Sequence, residues 1–159
     1  MTLQALRQCA SPAGRTAILR YVLLAMTANL AWEVVQLPLY AIWQSATTGE
    51  LVYAVVHCTI GDFIILAVTF LLALLLAGDP AWPKRRYGRV GALATLLGVI
   101  YTVFSEWVNV AVLRSWTYAP AMPLLPPLGT GLLPVLQWLV IPPSALFGAW
   151  LATRQALHR

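Results

Sequence analysis

The apolar positions of this chain fall into four long runs, over residues 17–37, 51–77, 90–113 and 132–152. They do not alternate with polar ones at a period of two, nor are they confined to one helical stripe. They continue around the whole helix, as expected where the solvent is lipid rather than water. A helix needs about 20 such residues to cross the hydrocarbon core. The second run is the longest and would extend about 40 Å as a helix, with some tilt. Pro38 marks the end of the first run or a kink near it. The segment GDPAWPKRRYGR closes the second run with two prolines and four basic residues. Between the third and fourth runs lies RSWTYAPAMPLLPPLGTG, too rich in proline for one helix and too apolar for an ordinary wet loop. It is expected to lie on the bundle's outer mouth or dip into it. Adjacent Pro142 and Pro143 predict a bend in the fourth helix. Residues 1–16 read as a polar tail, and SPAG and LGTG as turns. The predicted fold is all-α, a single transmembrane domain over residues 1–159 forming an integral membrane four-helix bundle.

Composition agrees, with 60% hydrophobic residues, 9% charged residues and a mean hydropathy of +0.78. Soluble domains carry roughly a quarter charged residues. The N-terminal apolar run continues past signal-peptide length, so a cleavable leader is not expected. The formal charge of +5 is clustered beside the apolar runs, which argues for topology rather than for nucleic-acid binding. One side of the predicted bundle holds Arg7, Arg15, Arg20, Lys84, Arg85, Arg86, Arg89, Arg154 and Arg159. The other holds Arg114. The positive-inside rule then places both termini in the cytoplasm, in a multi-pass protein of a bacterial inner (plasma) membrane. Arg20 is expected to snorkel to the near surface. Cys9 and Cys58 give no disulfide framework.

The candidate chemistry is one-sided. Asn29, Glu33 and Gln36 share a face of the first helix near its outward end, Glu33 about 7 Å from Pro38 along the axis. His57 and Asp62 fall roughly 9 and 17 Å from the outward start of the second helix. Thr102, Ser105, Glu106 and Asn109 form a stripe on the third, with Glu106 about 12 Å from Arg114. Gln137 lies in the outward half of the fourth. Ionisable groups inside a span are costly and usually serve a partner or a function. The candidate catalytic residues are therefore Glu33, His57, Asp62 and Glu106. Asn29, Trp32, Gln36, Trp107, Asn109, Gln137 and Trp138 are candidates for ligand contact or for support.

Each also has a plainer explanation. Glu33 can pair with His57, Asp62 beside Gly61 can mark close helix approach, and Cys58 reads as small packing material. Trp82, Trp116 and Trp150 fit interface anchors, and Tyr40 and Trp43 fit the far interface. Trp32, Trp107 and Trp138 suit a pocket wall as well as an aromatic belt. Gly88, Gly91 and Gly98 suit close helix packing. AWEVVQ and SEWVNV echo each other, but chance suffices for so few letters. Glu33, His57, Asp62 and Glu106 would be enough ligands for a metal ion. His57 and Asp62, however, are rotated about 140° apart on one helix, and a single histidine does not suit paired-ligand centres. No cofactor is predicted, and His158 lies in the expected cytoplasmic tail, away from His57, which excludes bis-histidine haem.

At WEVVQLPLY, HCTIGD, SEWVN and MP…P…GLLPVLQW the chain resembles small bacterial four-span inner-membrane proteins of uncharacterised function. LGVIYTVFSEW and LQWLVIP also look loosely like later helices of the emopamil-binding, sterol-isomerase-like group, with Glu106 in the matching acidic place. That group holds glutamates and a histidine near tryptophans in a membrane pocket and manipulates an apolar ligand by proton transfer. The first half of the chain matches it poorly, and the group has an additional span. The resemblance implies a lipid-like ligand, not sterol chemistry.

Three functions are open at this point. The first is an outward-facing pocket that binds a small apolar or lipid-like molecule, or performs acid–base chemistry on it. The second is a noncatalytic assembly or accessory subunit whose polar groups satisfy one another or a membrane protein partner. The third is a small-solute or proton transporter, disfavoured because the inward half of the second helix offers only Thr69. Expected partners are membrane lipids and an apolar ligand or membrane protein, with no nucleic acid.

Overall fold

In the computed structural model, residues 11–79 and 81–157 are described, with side chains to residue 152. Arg7, Cys9, His158, Arg159 and the Arg154 side chain lie outside the described residues. The long helices are α1 (Pro12–Gln36), α3 (Thr48–Ala77), α4 (Tyr87–Trp107) and α5 (Leu132–Leu157), with a short α2 (Ile42–Ser45) after α1. A 3₁₀ turn, Leu37–Leu39, extends α1, and a π-helical turn, Val108–Val112, extends α4. All four long helices have the length and composition to cross a membrane. The chain is a polytopic, all-α membrane protein.

The local chemistry explains the ends. Ser11 caps α1 by accepting a hydrogen bond from Gly14 N at 3.1 Å, and Pro12 takes the first helical position, where its missing N–H costs nothing. SPAG is thus a helix start, and α1 begins inside the segment expected to be a polar tail. Thr47 and Glu50 cap α3 reciprocally, Glu50 N bonding Thr47 Oγ1 and Thr47 N bonding Glu50 Oε2. At the other end of α3, Asp79 accepts from Ala81 N at 2.9 Å and faces Arg86 at 3.7 Å. Pro142 and Pro143 are accommodated inside α5, which continues through both.

Each long helix packs against two others: α1 against α3 and α5, and α4 against α3 and α5. The result is a closed ring with sequential neighbours antiparallel. Small residues bring α4 onto α5. A Cβ on Gly98 would stand 2.2 Å from the Trp138 ring, and one on Gly91 2.9 Å from Leu146. Gly88 meets nothing and has no such role. Outward-facing apolar side chains such as Val35 and Leu76 are more than two-thirds exposed, the arrangement lipid requires.

The two ends of the ring differ. Toward the α3–α4 connection the interior is apolar, with Tyr21 on Phe70 (5.0 Å between ring centroids), Phe70 on Trp82 (5.7 Å) and Trp82 stacked on Tyr87 (5.8 Å). Trp82 was expected at the membrane interface but is 2% exposed, because the turn after α3 folds its indole into this cluster. Arg20 is half-buried, with its Nη1 shielded and without a partner. Thr69 is spent on its own helix, bonding Ile65 O and Leu66 O. At the opposite end the interior is polar and roofed by the two connections there. Ala41 N bonds Thr117 O at 3.0 Å, and Ala119 N bonds Leu39 O at 2.9 Å. A small hairpin, β1 (Leu124–Leu125) with β2 (Thr130–Gly131), closes the proline-rich segment, which packs Ala119 and Met122 inside.

Candidate functional site

The polar end is organised by Gln137 on α5, 2% exposed. Its Nε2 lies 2.8 Å from Asp62 Oδ2, 3.1 Å from Glu33 Oε1 and 3.1 Å from Asn29 Oδ1. One side-chain amide thus ties α5 to α1 and α3. An NH₂ group has two hydrogens, so three acceptors around it compete. Gln36 Nε2 relieves the competition by donating to Glu33 Oε1 at 2.8 Å, while its own Oε1 accepts from Trp32 Nε1 at 3.1 Å. The helical spacing of Asn29, Glu33 and Gln36 puts all three on the buried face of α1. Asn29 Nδ2 is left without a partner.

The second carboxyl station is Glu106 on α4. It accepts from the Tyr118 hydroxyl, which in turn accepts from Gly131 N at 2.9 Å. Gly131 is required for this approach, since a Cβ there would crowd the Tyr118 ring at 3.1 Å. Burial, then the bond to Glu106 and its charge, push the Tyr118 phenol above its ordinary range, so it remains a donor. Burial and then the Glu106 charge do the same to Tyr40, whose ring lies 5.6 Å from that of Tyr118 in the roof. Tyr40 therefore roofs the site rather than marking an interface.

Both stations line one cavity of about 980 Å³, bounded by α1, α3, α4, α5 and the roof. Glu33, Asp62 and Glu106 are each buried in its wall. Cys58 faces it too, with its thiol in reach of Glu33, and so is more than packing material. Gly61 opens onto the cavity and meets no neighbouring atom, so it does not mark close helix approach. Trp138 forms part of the wall, seated on Gly98.

Other candidates stand apart. His57 reaches the rim, but its ring is exposed and stacks on Tyr53 at 5.6 Å; among the described residues it forms no hydrogen bond to Glu33. The rotation along α3 that buries Asp62 turns His57 outward. Asn109 folds back onto Ser105 O at 2.9 Å, because the π-helical turn carries it off the Glu106 stripe. Trp107 is 37% exposed and lines a shallow apolar groove with Leu128 on the outer surface. Trp116, expected as an interface anchor, instead lines the cavity near Glu106, where the loop after α4 folds inward. Among the described residues no three histidine, cysteine or carboxylate groups converge as a metal site would require.

Sequence reasoning had no hold on Tyr118, Trp116 or Arg114 as site residues. Their only signal was the apolar, aromatic character of a loop too proline-rich to be a helix. No family model, curated protein or solved structure matches this chain. The likeness to the emopamil-binding group therefore adds no weight to the geometry.

Proposed function

We propose that this is an inner-membrane protein with both termini cytoplasmic, whose outward-facing cavity binds a small apolar or lipid-like molecule. The observation that carries the reading is the shared cavity of about 980 Å³, into which Glu106 and the Glu33–Asp62 pair both face. That volume is at the upper end of the range for small-molecule sites, about 300–1,000 Å³. Its walls combine apolar surface with a few convergent polar groups, the usual composition of such sites. Acid–base chemistry needs a proton donor and an acceptor in reach of one bound molecule. Glu106 with Tyr118, and Glu33 with Asp62, are the two stations that would serve. The plugged apolar end, with Tyr21, Phe70 and Trp82, speaks against a transport path.

The assembly reading has one observation in its favour: Gln137 and Gln36 give Glu33 and Asp62 donors without any ligand. Glu106→Gln separates the two. It keeps size and much of the hydrogen bonding but cannot exchange a proton. The ligand-site reading predicts normal folded yield in detergent with loss of the molecule that co-purifies. Lower yield with an unchanged co-purifying fraction would favour assembly. Orientation is tested by cysteines at Thr47, Ala121 and Lys84: an impermeant thiol reagent should label the first two in intact cells and spare the third.

A further inference from the structure

The cavity is partly roofed, its lining running out to exposed Ser45 and Glu50 at the α2–α3 connection, and it also reaches the flank of the ring. Its roof is stitched by the Ala41–Thr117 and Ala119–Leu39 backbone bonds. Its flank between α3 and α4 is different. Ile64 on α3 and Tyr101 on α4 both line the cavity and are 55% and 48% exposed. They lie well inside their spans, at the depth of the hydrocarbon core. Gly61, one turn from Ile64, leaves the space beside it empty: no atom lies within 4 Å of where its Cβ would be.

The polar groups inside define the head of such a molecule. Thr102 is 6% exposed and lines the cavity, but its Oγ1 has no partner. Trp116 Nε1, also in the wall, is buried beside the Glu106 carboxyl, too poorly aligned to make a full hydrogen bond to it. Buried donors of this kind call for an acceptor. Arg114 adds a cation to the same wall, and the described ion pairs are both made by Asp79 with Arg85 and Arg86, leaving Arg114 without one. Among these groups stands Glu106, whose Oε2 is held by Tyr118 and which has the Trp116 indole beside it. A carboxyl oxygen accepts a donor whether or not the group is ionised.

We infer that the cavity admits a bilayer-resident amphiphile sideways, between α3 and α4. Its phosphate sits at Arg114, and a hydroxyl or ammonium donor of the same head meets Glu106. This rests on the reading of the cavity as a ligand site and names the ligand's class. Its tail leaves through the Ile64–Tyr101 seam.

The test uses the full chain in phosphatidylcholine nanodiscs, with a trace of phosphatidylethanolamine carrying a diazirine near the middle of one acyl chain. Phosphatidylcholine has the phosphate but no N–H or O–H donor, so as the bulk lipid it should not occupy the site. Photolabelling mapped by mass spectrometry should be saturable at Ile64 and Tyr101. It should be displaced by unlabelled phosphatidylethanolamine or phosphatidylglycerol, and not by inorganic phosphate. Label on Leu72 and Leu76, exposed elsewhere on α3, should be weak and unsaturable. Arg114→Gln should lower seam labelling about tenfold, the loss expected for one charge-assisted contact. Gly61→Leu should abolish it at normal folded yield, because the new side chain occupies the cavity rather than a packed contact.

Equal, unsaturable labelling of Ile64 and Leu72 would overturn the inference. So would displacement by free phosphate, or saturable labelling indifferent to Arg114→Gln. If a molecule still co-purifies in those cases, the ligand-site reading survives and the assignment of its class fails. If none does, both fall.

Discussion

Glu33 and Glu106 occupy parallel helices, face one cavity and are each followed three residues later by an amide. They are nevertheless held in different ways. Glu33 takes Gln36 from its own helix and Gln137 from α5, and Gln137 adds Asp62 to the same knot. All of these groups sit on transmembrane helices. Glu106 loses its amide, because the π-helical turn Val108–Val112 turns Asn109 back onto Ser105. A loop tyrosine, itself fixed by the hairpin through Gly131 N, replaces it. Inserting one residue into a helical turn thus converts one carboxyl from a helix-held group into a roof-held one. The first station moves only if the bundle moves. The second moves with the roof.

The comparison predicts its own strongest disruption at Gln137. Gln137→Leu keeps the volume but removes the donor shared by Asp62, Glu33 and Asn29, and should cost about 3 kcal/mol or more by stranding buried acceptors. Unfolding in a detergent titration would measure it, and a variant as stable as the parent would show that the knot does not join α5 to α1 and α3. Tyr118→Phe comes next. It should cost about 1–2 kcal/mol, since it frees Glu106 and the Gly131 N–H together. It should also reduce ligand retention, whereas Gln36→Leu should act on stability more than on retention. Reversal of that pattern would contradict the division between a roof-held and a helix-held carboxyl.

Asn109→Ala is the finer test of the same division. The amide bonds only its own helix, so the loss should stay below about 0.5–1 kcal/mol, with ligand retention unchanged. A large loss of retention would return Asn109 to the side of Glu106. The smallest effect is expected at His57. With an exposed ring stacked on Tyr53, His57→Gln should alter stability by no more than about 0.5 kcal/mol. A retention loss as deep as that of Glu106→Gln would make it a partner of the carboxyls after all.

The spans were legible because lipid imposes a simple requirement on them: long, uninterrupted apolar runs bounded by proline, glycine and charge. The clustering of Glu33, Asp62, Glu106 and Gln137 toward one end followed from the same count, as each carries its depth in its position along a helix. Azimuth was harder to read. On α3 the rotation that buries Asp62 exposes His57, and on α4 a π-helical turn displaced Asn109, which a constant helical period does not foresee. Trp82 shows the limit at chain reversals, where an indole next to basic residues reads as an interface anchor but folds into the core. Tyr118 was the deepest omission. It sits in a loop whose path depends on backbone pairing with residues 39–41, and nothing local to TYAP announces that pairing.

The central claim is that Glu106 holds a bound molecule rather than the bundle. Its most direct test is mass spectrometry of the extract from purified parent and Glu106→Gln protein, normalised to folded protein and measured from the same membranes. The account predicts a molecule present in the parent and depleted about tenfold or more in the variant, at equal folded yield. The same molecule at the same occupancy in both, or none in either, would contradict it.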